Sequence, residues 1–81
     1  MRIDKYLKVS RLIKRRTVAQ EACDGGRVSV NGKVVKPAYD VKENDVIELS
    51  FGIRKTKVQV LKVCDFIKAN EAETMYKILS E

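Results

Sequence analysis

Between Arg2 and Arg16 the chain places seven cations (Arg2, Lys5, Lys8, Arg11, Lys14, Arg15, Arg16) and one anion, Asp4, among Ile3, Tyr6, Leu7, Leu12 and Ile13. A run that mixes charge and apolar bulk so evenly is neither buried nor solvated all round; one side of it needs a core. Written as a helix, Ile3, Tyr6 and Leu7 fall at i, i+3 and i+4 on one face, while Arg2, Lys5 and Lys8 step along the flank. The rest of the chain must therefore supply an apolar partner for that face. The cations are then presented as a fixed array, which a polyanion-binding surface requires and a floppy tail lacks.

Length bounds what such an array can belong to. The 81 residues are expected to form one domain over 1–81, and a chain of this size buries only about 60% of the surface its unfolded form exposes. A second, catalytic domain does not fit. One proline, four glycines and a hydrophobic fraction of 44% exclude a low-complexity or collagen-like chain.

The net charge of +6 is unevenly distributed: residues 1–36 hold ten cations and three anions (+7), residues 37–81 seven and eight (−1). A basic excess of this kind suits nucleic acid, an anionic membrane or an acidic protein. Membrane fits least, because no apolar run exceeds two residues and the basic stretch has no Trp or Phe to sit at an interface. No signal-peptide pattern follows Met1, so a cytoplasmic protein is expected. Cys23 and Cys64 suit that compartment as small buried thiols. Two thiols without a histidine do not make a metal site, and no cofactor is expected.

The remaining elements follow in order. After a connection over Ser10 to Arg16, Thr17 and Gln20 have capping-box spacing for a second helix with a small apolar face of Ala19, Ala22 and Cys23, stopped by Gly25 and Gly26. Arg15 and Arg16 then stand at its N-terminal end, where the helix dipole and free N–H groups favour a phosphate. Asn31-Gly32 between Arg27–Val30 and Lys33–Val35 signals a type I′ hairpin, and Pro37, with no N–H to donate, ends the pairing. Beyond a polar loop over Asp40 to Asp45, strands are expected within 46–63. Val46–Phe51 puts Ile47, Leu49 and Phe51 on one face, and Thr56–Val63 turns Val58 and Val60 inward, with a bulge or a second buried face near Leu61 and Val63. Finally Asn70 caps a helix over about 71–80 carrying an Ala72, Met75, Tyr76 and Leu79 stripe. The expected fold class is α+β: two N-terminal helices packed on a small antiparallel sheet, plus a short C-terminal helix.

Arg2-Ile3-Asp4, Leu7, Arg16 with Ala19, Gly26, Val28, Val30-Asn31-Gly32 and Lys36-Pro37 together resemble the S-four RNA-binding domain. The resemblance covers about residues 1–50, across two helices and a hairpin. Where that family often has Gly-Asp, this chain has Asn44-Asp45, and Asn tolerates the positive φ such a turn needs. The resemblance implies a non-catalytic fold that sets the N-terminal helices and the hairpin loop against structured RNA. Over its whole length the chain is similar to small stand-alone bacterial ribosome-quality-control factors. These act on obstructed large ribosomal subunits holding peptidyl-tRNA, with a larger tRNA-bringing partner, to support alanine tailing of the stalled chain. That similarity implies large-subunit rRNA and peptidyl-tRNA as partners of a monomer. A heat-shock recycling protein of large subunits is the alternative relative; it is longer, with a basic C-terminal extension.

The candidate RNA-binding residues are Arg2, Lys5, Lys8, Arg11, Lys14, Arg15, Arg16, Asn31, Lys33 and Lys36. Arg2 and Arg16 lead, since both match the family pattern and a guanidinium grips a phosphate with two parallel hydrogen bonds. Asp4 is expected to orient a neighbouring arginine or cap the first helix. Asn31 and Lys33 lie at the hairpin tip, where turn formation explains Asn31 as well as RNA contact does. The five aromatics are scattered and no two share an exposed strand, so recognition should rest on phosphates and RNA shape. No histidine, phosphate-cradling glycine loop or paired carboxylate beside a nucleophile is present to carry catalysis. A pure protein-interaction module, docking through the C-terminal helix, is the third reading.

Overall fold

The computed structural model describes residues 1–80; residue 81 lies outside the described residues. Helix α1 spans Ile3–Val9 and turns Ile3, Tyr6, Leu7 and Val9 into the core, with Lys8 exposed. Its first free N–H groups find partners in a distant loop. Ile3 N donates to the Tyr39 carbonyl at 2.8 Å and Asp4 N to that of Pro37 at 3.3 Å, while Val41 N donates to the Met1 carbonyl at 2.9 Å. Segment 37–41 thereby fixes where α1 begins, and the terminal ammonium adds a 2.6 Å contact to Asp40. The helix stops at Ser10 because Arg11 takes a left-handed conformation, φ 67°.

Helix α2, Arg16–Asp24, buries the small residues Ala19, Ala22 and Cys23 and packs on α1. Gly26, at φ 75°, supplies the left-handed residue of its C-terminal cap, and Arg27 N donates to the Ala22 carbonyl at 2.9 Å. The expected capping box is absent: the N-cap is Arg15, without a side-chain bond. Gln20 is drawn elsewhere, to Asp4.

Strands β1 (Val28–Val30), β2 (Lys33–Val34), β3 (Val46–Phe51), β4 (Arg54–Val60) and β5 (Tyr76–Ser80) form one antiparallel sheet in the order β2-β1-β3-β4-β5. Asn31 (φ 52°) and Gly32 (φ 88°) make the β1–β2 turn with both residues at positive φ, as a type I′ hairpin demands. Asn44 is likewise left-handed, φ 75°, so the turn before β3 keeps its form without glycine. One sheet face carries Val28, Val30, Ile47, Leu49, Val58 and Val60, all buried in a single cluster with the apolar sides of α1 and α2. Ser29, Glu48, Lys57 and Gln59 point to the opposite, open face.

The C-terminal quarter departs from expectation. The fourth strand ends at Val60 rather than Val63, and the register irregularity falls between Lys57 and Val58, where β4 meets β5. The short C-terminal helix is present as a 3-10 helix over Ala69–Met75, with Lys68 rather than Asn70 at its cap. Tyr76–Ser80, expected to continue it, instead pairs with β4 through Val60–Tyr76, Gln59–Lys77 and Val58–Ile78. An unpaired β4 edge offers a row of free backbone N–H and C=O groups to a strand laid beside it, and that outweighs the stripe's helical spacing. The buried Tyr6 hydroxyl ties this segment to α1, donating to the Met75 carbonyl at 2.8 Å.

Candidate nucleic-acid interface

Asp4 is completely buried, and its carboxylate is the centre of the basic surface. Arg2 donates to it side-on, Nε to Oδ1 at 3.2 Å and Nη2 to Oδ2 at 3.1 Å. Arg16 approaches from α2, Nη2 to Oδ1 and Nε to Oδ2, both at 3.4 Å. Gln20 Nε2 donates to Oδ2 at 2.9 Å, and Lys5 N to Oδ1 at 2.8 Å. Burial alone would push the Asp4 pKa up, but the hydrogen bonds from Gln20, Arg2, Arg16 and the Lys5 amide together hold it below the ordinary aspartate value. Asp4 is thus an anion at neutral pH, and one negative charge holds two positive ones.

The geometry leaves both guanidiniums usable. Each spends its Nε–Nη2 edge on Asp4 and makes no other side-chain hydrogen bond among the described residues; the side chains are 50% and 42% exposed. A net positive charge remains at the α1–α2 junction, with its donors already oriented, so little rotamer entropy is left to lose on gripping a phosphate.

The other candidates divide into free and engaged. Lys8, Lys14 and Arg15 are exposed and have no ion-pair partner among the described residues. Lys5 Nζ lies 3.2 Å from Asp65 in an exposed pair, which water and salt weaken. Arg11 turns its Nη1 back onto the carbonyls of Val9 (3.0 Å) and Lys8 (3.5 Å), closing the end of α1. Asn31 is engaged at both ends of its amide, accepting from Val46 N at 3.0 Å and donating to Asp45 at 3.2 Å. Lys33 and Lys36 stand exposed on and just after β2.

Gln20, expected as a cap, joins the cluster because it lies one helical turn after Arg16 on the same side of α2. Arg27, exposed between α2 and β1, is a further cation outside the expected set. Cys23 is buried and Cys64 half-buried, both as free thiols. Burial, helped by the charges of Asp4 and Asp24, pushes the Cys23 thiol up to about 11, which leaves it protonated and unreactive. No helix among the described residues is long and apolar enough to cross a membrane.

The S4 domain family model matches residues 1–47, the span that contains both helices, the Asp4 cluster and the first hairpin. The RQC P-site tRNA stabilizing factor of Streptococcus pneumoniae is 53% identical over 81 residues, covering 100% of this chain and 92% of that protein. The factor of the same name from Bacillus subtilis is 52% identical, with 100% and 94% covered. Among solved structures, the trimeric structure of Vibrio cholerae Heat Shock Protein 15 superimposes with a TM-score of 0.90 at 31% identity, covering 99% of this chain and 82% of that one. A full-length match of this closeness, on top of the domain match, decides the family: the chain belongs to the S4 domain proteins and, among them, to the RQC P-site tRNA stabilizing factors.

Proposed function

We propose that this protein is a non-catalytic, cytoplasmic RNA-binding factor that engages rRNA and peptidyl-tRNA on obstructed large ribosomal subunits. There it stabilises the tRNA while a larger tRNA-bringing factor supports alanine tailing of the stalled chain. The observation that carries the reading is the Arg2–Asp4–Arg16 clamp, two pre-oriented guanidiniums at a helix junction, in a chain matched end to end by P-site tRNA stabilizing factors. The free cations Lys8, Lys14 and Arg15 extend that surface along the same two helices and their connection. Binding through such an array releases counterions. With about six phosphates neutralised, affinity for large subunits should fall with salt at a log–log slope of about −4 to −5. A flat salt dependence would refute the phosphate-based reading.

The close superposition on Heat Shock Protein 15 supports a second reading, a recycling factor for large subunits that carry peptidyl-tRNA. The two readings share the RNA surface and differ in outcome: tailing of the nascent chain against its release. Quantifying alanine-tailed products in cells with and without the protein separates them.

A further inference from the structure

The helix layer is shorter than the sheet it covers. Leu49 and Phe51 of β3 share the core-facing side with their partners Thr56 and Arg54 of β4. Leu49 is buried, whereas Phe51 is 39% exposed and Ile53, at the tip of the hairpin, is fully exposed. Over this uncovered end of the sheet lies one residue of the α1–α2 connection, Leu12. Leu12, Leu49, Phe51, Arg54 and Thr56 line a concavity of about 270 Å³. That is just below the usual range of small-molecule sites, about 300–1,000 Å³, and suits a single flat ring system.

We propose that this concavity receives one unstacked nucleobase of the RNA held by the Arg2–Arg16 surface. The inference rests on that RNA-binding reading and adds a base contact to it. Three features select a base over another occupant. The lining is aliphatic at Leu12 and Leu49 and aromatic at Phe51, which fits a π face without demanding a particular sequence. Arg54 and Thr56 supply a guanidinium and a hydroxyl at the rim, able to pair with base-edge acceptors or to stack, and Arg54 has no ion-pair partner among the described residues. Leu12 belongs to the α1–α2 connection that also bears the exposed cations Lys14 and Arg15, so the concavity and those cations share one short segment.

Isotope-labelled full-length protein is titrated with adenylate and uridylate, and separately with ribose phosphate, while NMR follows the Leu12 and Leu49 methyls and the Phe51 ring. The nucleotides should shift these signals saturably and ribose phosphate should leave them in place. Equal shifts with ribose phosphate, or none with nucleotides at tens of millimolar, overturn the proposal. A second arm uses large subunits carrying peptidyl-tRNA. Phe51→Leu should weaken co-sedimentation severalfold, towards the roughly fivefold to hundredfold loss that truncating a stacked aromatic to alanine brings, and Phe51→Trp should retain it, with unchanged circular dichroism in both. If Phe51→Leu binds as the unaltered protein does, the groove takes an aliphatic partner or nothing, and the proposal fails. Should the unaltered protein itself not co-sediment, the functional reading falls, while the nucleotide titration still decides the pocket.

Discussion

Arg2 donates to both oxygens of the buried Asp4 carboxylate, at 3.2 and 3.1 Å, so the leading cation of the surface is fixed by the one anion of its own helix. A carboxylate placed on a phosphate-binding surface is at first sight repulsive. Its burial removes that conflict: Asp4 faces inward, and the outer edges of Arg2 and Arg16 are left open to a phosphate.

Pure Coulomb reasoning says that Asp4→Asn, by adding a unit of net positive charge, strengthens RNA binding. The clamp predicts the opposite. With the negative charge gone and one oxygen replaced by an NH2 donor, the two guanidiniums lose their common anion and repel each other. Affinity for large subunits should drop about tenfold or more, and stability should fall by about 2 kcal/mol, below the 3–5 kcal/mol for breaking a fully buried pair because both arginines are half in water. Sedimentation together with urea unfolding measures the two effects.

The depressed Asp4 pKa gives the clamp a pH dependence of definite sign. Unfolded, the group titrates near the ordinary aspartate value of 3.8; folded, it titrates lower. Its contribution is therefore fully present above the unfolded pKa and is lost as pH falls through the folded one. The stability gap between the unaltered protein and Asp4→Asn should stay constant from neutral pH to about 5 and close below 3.8. Thermal unfolding of both proteins across that range provides the check, and a gap that persists at the acid end would contradict it.

Asn31 and Lys33 flank the same turn but should respond differently. Asn31→Ala removes the acceptor for Val46 N, the bond to Asp45 and a residue that tolerates φ 52°, so it should cost about 1–3 kcal/mol of stability. Binding by the folded fraction should change less than twofold. Lys33→Ala should leave the unfolding midpoint in place and weaken binding. Paired urea titrations and binding isotherms read both.

Local signals were legible where one short-range rule governs the backbone. Asn31-Gly32 announced its turn, Gly26 its helix end, and Ile3, Tyr6 and Leu7 the buried face of α1. The basic stretch marks the candidate cations but not how they are held, because the Asp4 cluster joins residues two, twelve and sixteen positions away, and Gln20 completes it instead of capping α2. Tyr76–Ser80 misled for a related reason. Its apolar spacing satisfies a helix, and only the free edge of β4, supplied by a remote part of the chain, makes it a strand.

Arg2 and Arg16, set by Asp4, are proposed to hold RNA on obstructed large subunits. The most direct test is co-sedimentation of the unaltered protein and the Arg2→Ala, Arg16→Ala double variant with large subunits carrying peptidyl-tRNA, intact ribosomes and small subunits. The unaltered protein should prefer the peptidyl-tRNA-bearing large subunits, and the variant should keep its circular-dichroism spectrum but leave that fraction. Equal distribution of the unaltered protein over all three particles, or undiminished binding by the folded variant, would contradict it.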